Sequence, residues 1–190
     1  MNRRQFIAAL AATLPLAAQA GSAIPHHGGL VHLADLRHRP AAIDKKITVF
    51  NMHTHERETV TFFSGHSYVD DELAVLNKLM RDHRTGEHVE MDRRLITLLY
   101  DLHEKTGSKT EIHILSGYRS EKTNERLRKT TDGVAKKSYH MKGQALDIKI
   151  PDVRLSRLHK AARSARKGGV GYYPDSGFIH IDTGRLRHWT

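Results

Sequence analysis

Ser138-Tyr139-His140-Met141-Lys142-Gly143-Gln144-Ala145-Leu146-Asp147 decides how the chain is read. Gly143, lying between His140 and Asp147, lets the backbone turn. The sequence then alternates, with Leu146, Ile148 and Ile150 facing one way and Ala145, Asp147 and Lys149 the other, the pattern of a half-buried strand. An imidazole on the turn and a carboxylate on the strand's open face can reach one metal ion. A third protein ligand from elsewhere would leave a catalytic site one open position.

That third ligand is sought in the strand Phe178 to Asp182. There Ile179 and Ile181 share one face, and Phe178, His180 and Asp182 share the other. If this strand pairs with the Asp147 strand, His180 and Asp147 meet on one open face. His140, Asp147 and His180 together supply two imidazoles and a carboxylate, a ligand set of hydrolytic zinc sites.

Outward from these strands the periodicity alternates between sheet and helix. Ile47 to Met52 and Thr59 to Phe63 read as a hairpin whose polar tip carries His53 and His55. Asp70 or Asp71 caps a helix bearing Leu73, Leu76, Leu79 and Met80. Asp92 opens a second with Leu95, Ile96, Leu98, Leu99 and Leu102, closed by Gly107. Glu111 to Leu115 is a strand running into Ser116-Gly117-Tyr118-Arg119-Ser120, and Ser120 caps a short helix. The planar fork of Arg119 suits a substrate carboxylate, although an arginine there also serves as an ordinary salt-bridge partner. Lys129 to Lys137 is a polar loop over the site. Leu155, Leu158, Ala161, Ala162 and Ala165 form a last amphipathic helix, stopped by Gly168-Gly169.

The 190 residues, 38% of them hydrophobic, suffice for one domain, here residues 43–190. Residues 1–20 read as an export signal: Arg3-Arg4-Gln5-Phe6-Ile7, an apolar run to Ala18, and a small-residue end at Ala18-Gln19-Ala20. The order resembles a twin-arginine signal, which places the protein in the periplasm. The apolar run is short for a membrane span, so no stable span is expected after signal cleavage. Residues 21–42, rich in His, Gly and Pro, read as a flexible segment.

With no cysteine, disulfides are excluded, and His, Asp and Glu are left as the strong metal ligands. The formal charge of +10 favours polyanionic partners. The export signal, the 6% aromatic content and the lack of helix-turn-helix or zinc-finger spacing argue against nucleic acid.

Ser116-Gly117-Tyr118-Arg119-Ser120, then Ser138-Tyr139-His140 with Gly143 and Asp147, then Phe178-Ile179-His180-Ile181-Asp182 resemble the D-Ala-D-Ala carboxypeptidase/hedgehog-type zinc peptidases, above all their exported YcbK-like murein endopeptidases. The resemblance spans about the last two-thirds of the chain. It implies an α+β fold with an antiparallel sheet and flanking helices, Zn2+ held by His140, Asp147 and His180, and Arg119 and Ser138 as substrate-binding residues. It also implies a periplasmic murein endopeptidase acting on the peptide cross-links of peptidoglycan stem peptides. Relatives in the wider superfamily carry a catalytic Glu three residues before the last zinc histidine, or a His two before it. This chain has Gly177 and Phe178 there. Asp182, on the His180 face, is the candidate catalytic residue, and orientation of a ligating histidine is its other possible role. The absent base motivates an alternative function, a non-catalytic zinc-containing wall-binding module.

Overall fold

The computed structural model describes residues 43–190 apart from residue 132. The export signal and the segment 21–42 read from the sequence lie outside the described residues. In order, the elements are β1 (Lys45–Asn51), β2 (Arg57–Ser64), β3 (Ser67–Tyr68), α1 (Asp70–Leu79), α2 (Arg93–Thr106), β4 (Ile112–Ser116) and α3 (Glu121–Thr130). A 3-10 turn (Tyr139–Lys142), β5 (Ala145–Lys149), α4 (Leu155–Ala165), β6 (Gly169–Tyr173), β7 (Phe178–Asp182) and β8 (Arg187–Trp189) follow.

The fold is α+β, and its sheet runs β3-β2-β1-β4-β5-β7-β6-β8. The expectation of an antiparallel sheet is corrected here to a mixed one, because β1 pairs with β4 and β6 with β8 in parallel. Both parallel pairs arise from crossovers. The chain returns from β2 to β4 through α1 and α2, and β8 passes beyond β7 to join β6. Such connections bring a strand back in the same direction, which a tight hairpin cannot do. The remaining pairs are antiparallel, including the β1–β2 hairpin expected from the sequence.

Alternation gives the sheet two distinct faces. Ile47, Val49, Val60, Phe62, Ile112, Ile114, Leu146, Ile148, Ile179 and Ile181 turn toward the helices and are buried with Leu76, Leu95, Ile96, Leu99, Leu102 and Leu158. Each such aliphatic side chain withdrawn from water contributes about 1.5–3 kcal/mol. Asp92 caps α2 by accepting from Arg94 N, and Gly107 ends that helix in a left-handed conformation, as its sequence predicts. α1 differs from expectation. Its N-cap is Val69, and Asp70 and Asp71 lie in the first turn, where carboxylates favour the helix dipole without capping.

β6 and β8 were not anticipated in the sequence. α4 is ended not by Gly168-Gly169 but by Arg166, which takes the left-handed C-cap conformation, and Gly169 already begins β6.

Candidate metal centre

The open face of the sheet carries one transverse row of residues. Ser116 of β4 lies opposite Asp147 of β5, Asp147 opposite His180 of β7, His180 opposite Gly171 of β6, and Gly171 opposite Trp189 of β8. The alternation that sends Ile148, Ile179 and Ile181 into the core sends Asp147 and His180 to this face. His140 comes from outside the sheet, on the 3-10 turn.

Local chemistry shapes that turn. The Ser138 hydroxyl accepts from His140 N at 3.3 Å. Gly143 ends the turn at φ +64°, and a Cβ there would fall 2.7 Å from the Glu90 carbonyl oxygen, so both conformation and space call for glycine. The Gly143 carbonyl accepts from Asp92 N at 2.9 Å, fastening the turn to the start of α2.

Three donor atoms converge. His180 Nδ1 is 2.9 Å from Asp147 Oδ1, His140 Nε2 is 3.3 Å from the same oxygen, and the two nitrogens are 3.2 Å apart. A tetrahedral centre with bonds of about 2.0–2.1 Å separates its ligand atoms by about 3.3 Å, so the triangle fits zinc.

The outer hydrogen bonds assign the tautomers. His140 Nδ1–H donates to the Gly117 carbonyl at 2.8 Å, and His180 Nε2–H donates to Asp182 Oδ2 at 3.1 Å. In neutral rings both inward nitrogens then carry lone pairs, which face each other and a carboxylate oxygen. Such a buried arrangement calls for a cation at its centre.

The two rings differ in their electrostatics. Burial drives the His140 pKa down, outweighing the pull of Asp147. Burial also opposes charge on His180, but hydrogen bonds to Asp147 and Asp182 overcome it and raise its pKa. The Asp147 carboxyl resists burial and lies far below the usual range because His140 and His180 face it.

Asp182 is fully buried and occupied on all sides. It accepts from Gly169 N at 3.0 Å, Gly184 N at 2.8 Å, and Arg187 at 3.1 and 2.6 Å, besides His180. These bonds hold its pKa well below the ordinary carboxylate value against the opposing effect of burial. Arg119 is also engaged internally. Its guanidinium lies 3.7 Å from Asp147 Oδ2 and donates to Ser116 Oγ at 3.2 Å, while one edge lines the cleft above the triangle.

That cleft has a volume of about 630 Å³. Tyr139, Tyr173, Phe178 and Trp189 supply aromatic walls, and Lys137 and Arg185 are exposed cations on its lining. Of the segment Lys129 to Lys137, expected to be a loop over the site, Lys129 and Thr130 form the end of α3, while Val134, Ala135 and Lys137 line the cleft. His53 and His55 of the hairpin tip take no part in the triangle. Instead, His53 stacks on His83 with ring centroids 3.8 Å apart.

Arg187, Trp189, Tyr173 and Gly171 belong to the site and were missed by sequence reasoning. Trp189 lies across Gly171, donates from Nε1 to the Tyr173 hydroxyl at 2.8 Å, and has its ring centroid 5.3 Å from that of His180. Arg187 sits between Tyr139 and Trp189, 5.1 and 5.0 Å from their ring centroids. The available signal was the spacing of Arg187 and Trp189, which share a face in any extended segment, together with Trp189 being the single tryptophan of the chain.

Residues 39–189 match the family described as Peptidoglycan L,D-endopeptidase MepK. A protein of that name from Escherichia coli (strain K12) is 49% identical over 143 residues, covering 75% of this chain and 79% of its own length; the Shigella flexneri protein of the same name matches equally. A Haemophilus influenzae protein described as a probable peptidoglycan L,D-endopeptidase MepK is 42% identical over 144 residues, covering 75% of this chain and 77% of its own. No solved structure matches the chain.

Proposed function

Because the chain belongs to the peptidoglycan L,D-endopeptidase MepK family, within the zinc peptidases that its three motifs resemble, we propose that it hydrolyses peptide cross-links of peptidoglycan with a zinc ion held by His140, Asp147 and His180. The observation that carries this reading is the triangle of inward-facing donor atoms, its edges between 2.9 and 3.3 Å, beneath an open cleft. A zinc ion held there supplies Lewis acidity toward a scissile carbonyl and activates water near neutral pH.

The protein's own groups divide the remaining work. Gly117 O and Asp182 fix the tautomers of His140 and His180. Ser138, one of the expected substrate-binding residues, shapes the turn that presents His140 while also lining the cleft. Arg119 braces Asp147 and offers its remaining edge to substrate. Lys137 and Arg185, which make no ion pair among the described residues, suit the carboxylates of stem peptides. Of the two roles open to Asp182, orientation of His180 fits. A general base needs a lone pair within reach of the attacking water, and both Asp182 oxygens are taken.

The same observation supports the alternative of a zinc-containing wall-binding module, because Asp147 is the one carboxylate among the described cleft-lining residues and is already engaged, and Asp182 lies buried behind His180 with both oxygens occupied. Digestion of defined dimeric muropeptides with and without chelator separates the two. Zinc-dependent release of monomers is expected. Binding without turnover would select the module, and undiminished cleavage by His140→Ala would overturn the metal assignment.

We place residues 43–190 as the catalytic domain and residues 1–20 as a twin-arginine-type leader directing it to the periplasm, on the strength of Arg3-Arg4-Gln5-Phe6-Ile7. No helix among the described residues is long and apolar enough to cross a membrane. Mass spectrometry of the exported protein should find its N-terminus near Gly21.

A further inference from the structure

α4 presents an unbalanced cationic surface on the side of the sheet away from the cleft. Its buried residues Leu158, Ala161 and Ala162 pack toward the core with α2, β6 and β7. His180 and Asp147 project from the opposite face. Arg157, Lys160 and Arg163 occupy the outward arc of α4, and Arg154, Arg166 and Lys167 stand at its ends. All six are exposed.

No Asp or Glu occurs between Asp152 and Asp175. Asp152 itself is occupied by Ser108, Lys109 N and Thr110. Among the described residues, none of the six cations lies within ion-pair distance of a carboxylate. This contrasts with α3, where Lys129 pairs with Glu125 at 2.9 Å, and with α2, where Arg93 reaches Asp70 and Glu90.

We infer that the outer face of α4 docks the protein on an anionic phospholipid surface, leaving the cleft directed away from the bilayer. Three features select this occupant. The cations lie along an outward-facing helix, and neither described cavity reaches it, so the surface suits a planar array of phosphates better than a strand that must lie in a groove. Ser156 and Ser164 stand between the cations, leaving no large apolar side chain on the outward arc to insert, so attraction is electrostatic and reversible. The face points away from His140, Asp147 and His180, so it cannot hold the peptide stem being presented to them. This inference is independent of the chemistry in the cleft.

The test is sedimentation of the exported protein with vesicles of phosphatidylglycerol and phosphatidylcholine, against vesicles of phosphatidylcholine alone. Binding is expected only to the anionic vesicles and should be lost at about 1 M salt, where the Debye length is about 3 Å. The triple variant Arg157→Gln, Lys160→Gln, Arg163→Gln should bind about 30-fold or more weaker. Removing three exposed cations elsewhere (Lys46→Gln, Arg84→Gln, Lys122→Gln) should cost less than a third of that loss, and both variants should melt within a few degrees of the parent. Equal losses in the two variants would reduce the effect to net charge and overturn the proposal. So would binding to isolated wall material, in place of vesicles, that the α4 variant alone loses, since the occupant would then be a wall polyanion.

Discussion

Arg187 holds Asp182 through two hydrogen bonds, at 3.1 and 2.6 Å, and Asp182 in turn holds Nε2 of His180 at 3.1 Å. The last strand therefore reaches the proposed metal ligand through a fully buried carboxylate. Partners of this kind fix ring orientation and basicity, and their loss typically weakens metal binding about 10–100-fold. Arg187→Met should weaken zinc in that range, read by competition with a chromogenic chelator. It should also destabilise the fold by about 3 kcal/mol, because the carboxylate of Asp182 stays buried without its cation. Arg187→Lys should recover only part of the affinity, since an ammonium cannot reproduce the two-pronged grip. Unchanged zinc affinity in Arg187→Met would separate this carboxylate from the metal centre.

Gly171 is where the sheet makes room for Trp189. A Cβ at that position would fall 2.7 Å from Cε2 of the indole. Gly171→Ala should therefore push the ring from its place beside His180 and break the bond from Nε1 to the Tyr173 hydroxyl. A cost of about 1–3 kcal/mol is expected for the overpacking. Because Trp189 is the single tryptophan, its fluorescence reports the displacement directly, and a red-shifted maximum with reduced turnover is the expected result.

The site was legible where the information is local. Period-two alternation puts Asp147 and His180 on one face without knowledge of the sheet, and Ser120, Asp92 and Gly143 carry their cap or turn chemistry in themselves. The sequence could not show what depends on distant pairing. β8 has three residues, too few for a pattern, and it enters the site only by lying parallel to β6 across the crossover. The glycines of β6 resemble a helix stop, although Gly169 and Gly171 are there because Arg187 and Trp189 press against them. Arg119 has the chemistry of a substrate clamp, and only the fold reveals that Asp147 already engages it. Asp182 is read more narrowly for the same reason, since Arg187, Gly169 and Gly184 fill both its oxygens.

Asp82 braces the loop that carries Arg119. It accepts from Ser120 N and Oγ at 2.9 and 2.7 Å and from Arg84 N at 3.0 Å. Burial opposes its charge, but the hydrogen bonds from Thr123, Ser120 and Arg84 win and lower its pKa from 3.8 to about 2. A carboxylate with a depressed folded pKa stabilises fully above its unfolded value and loses that contribution as pH falls through the folded one. The protein should thus lose about 1–2 kcal/mol between pH ~4 and ~2 from this group, allowing for solvent screening. Asp82→Asn should be less stable at neutral pH and show a shallower decline across that window in denaturant titrations.

Among the described residues, Lys137 and Arg185 are the lining cations left without an ion pair, whereas Arg119 and Arg187 are committed to Asp147 and Asp182. If the free pair receives substrate carboxylates, their removal should act on binding and leave the metal untouched. The double variant Lys137→Gln, Arg185→Gln should raise KM about 10-fold for a peptide bearing free carboxylates, with kcat and zinc affinity nearly unchanged. Amidating those carboxylates should raise KM of the parent protein by a similar factor and have little further effect on the variant, because the interaction is already gone. Rising ionic strength should weaken binding to the parent more than to the variant, since exposed charges are readily screened. A variant that loses kcat instead, or discriminates acid from amide as well as the parent does, would move carboxylate recognition to the cleft edge of Arg119.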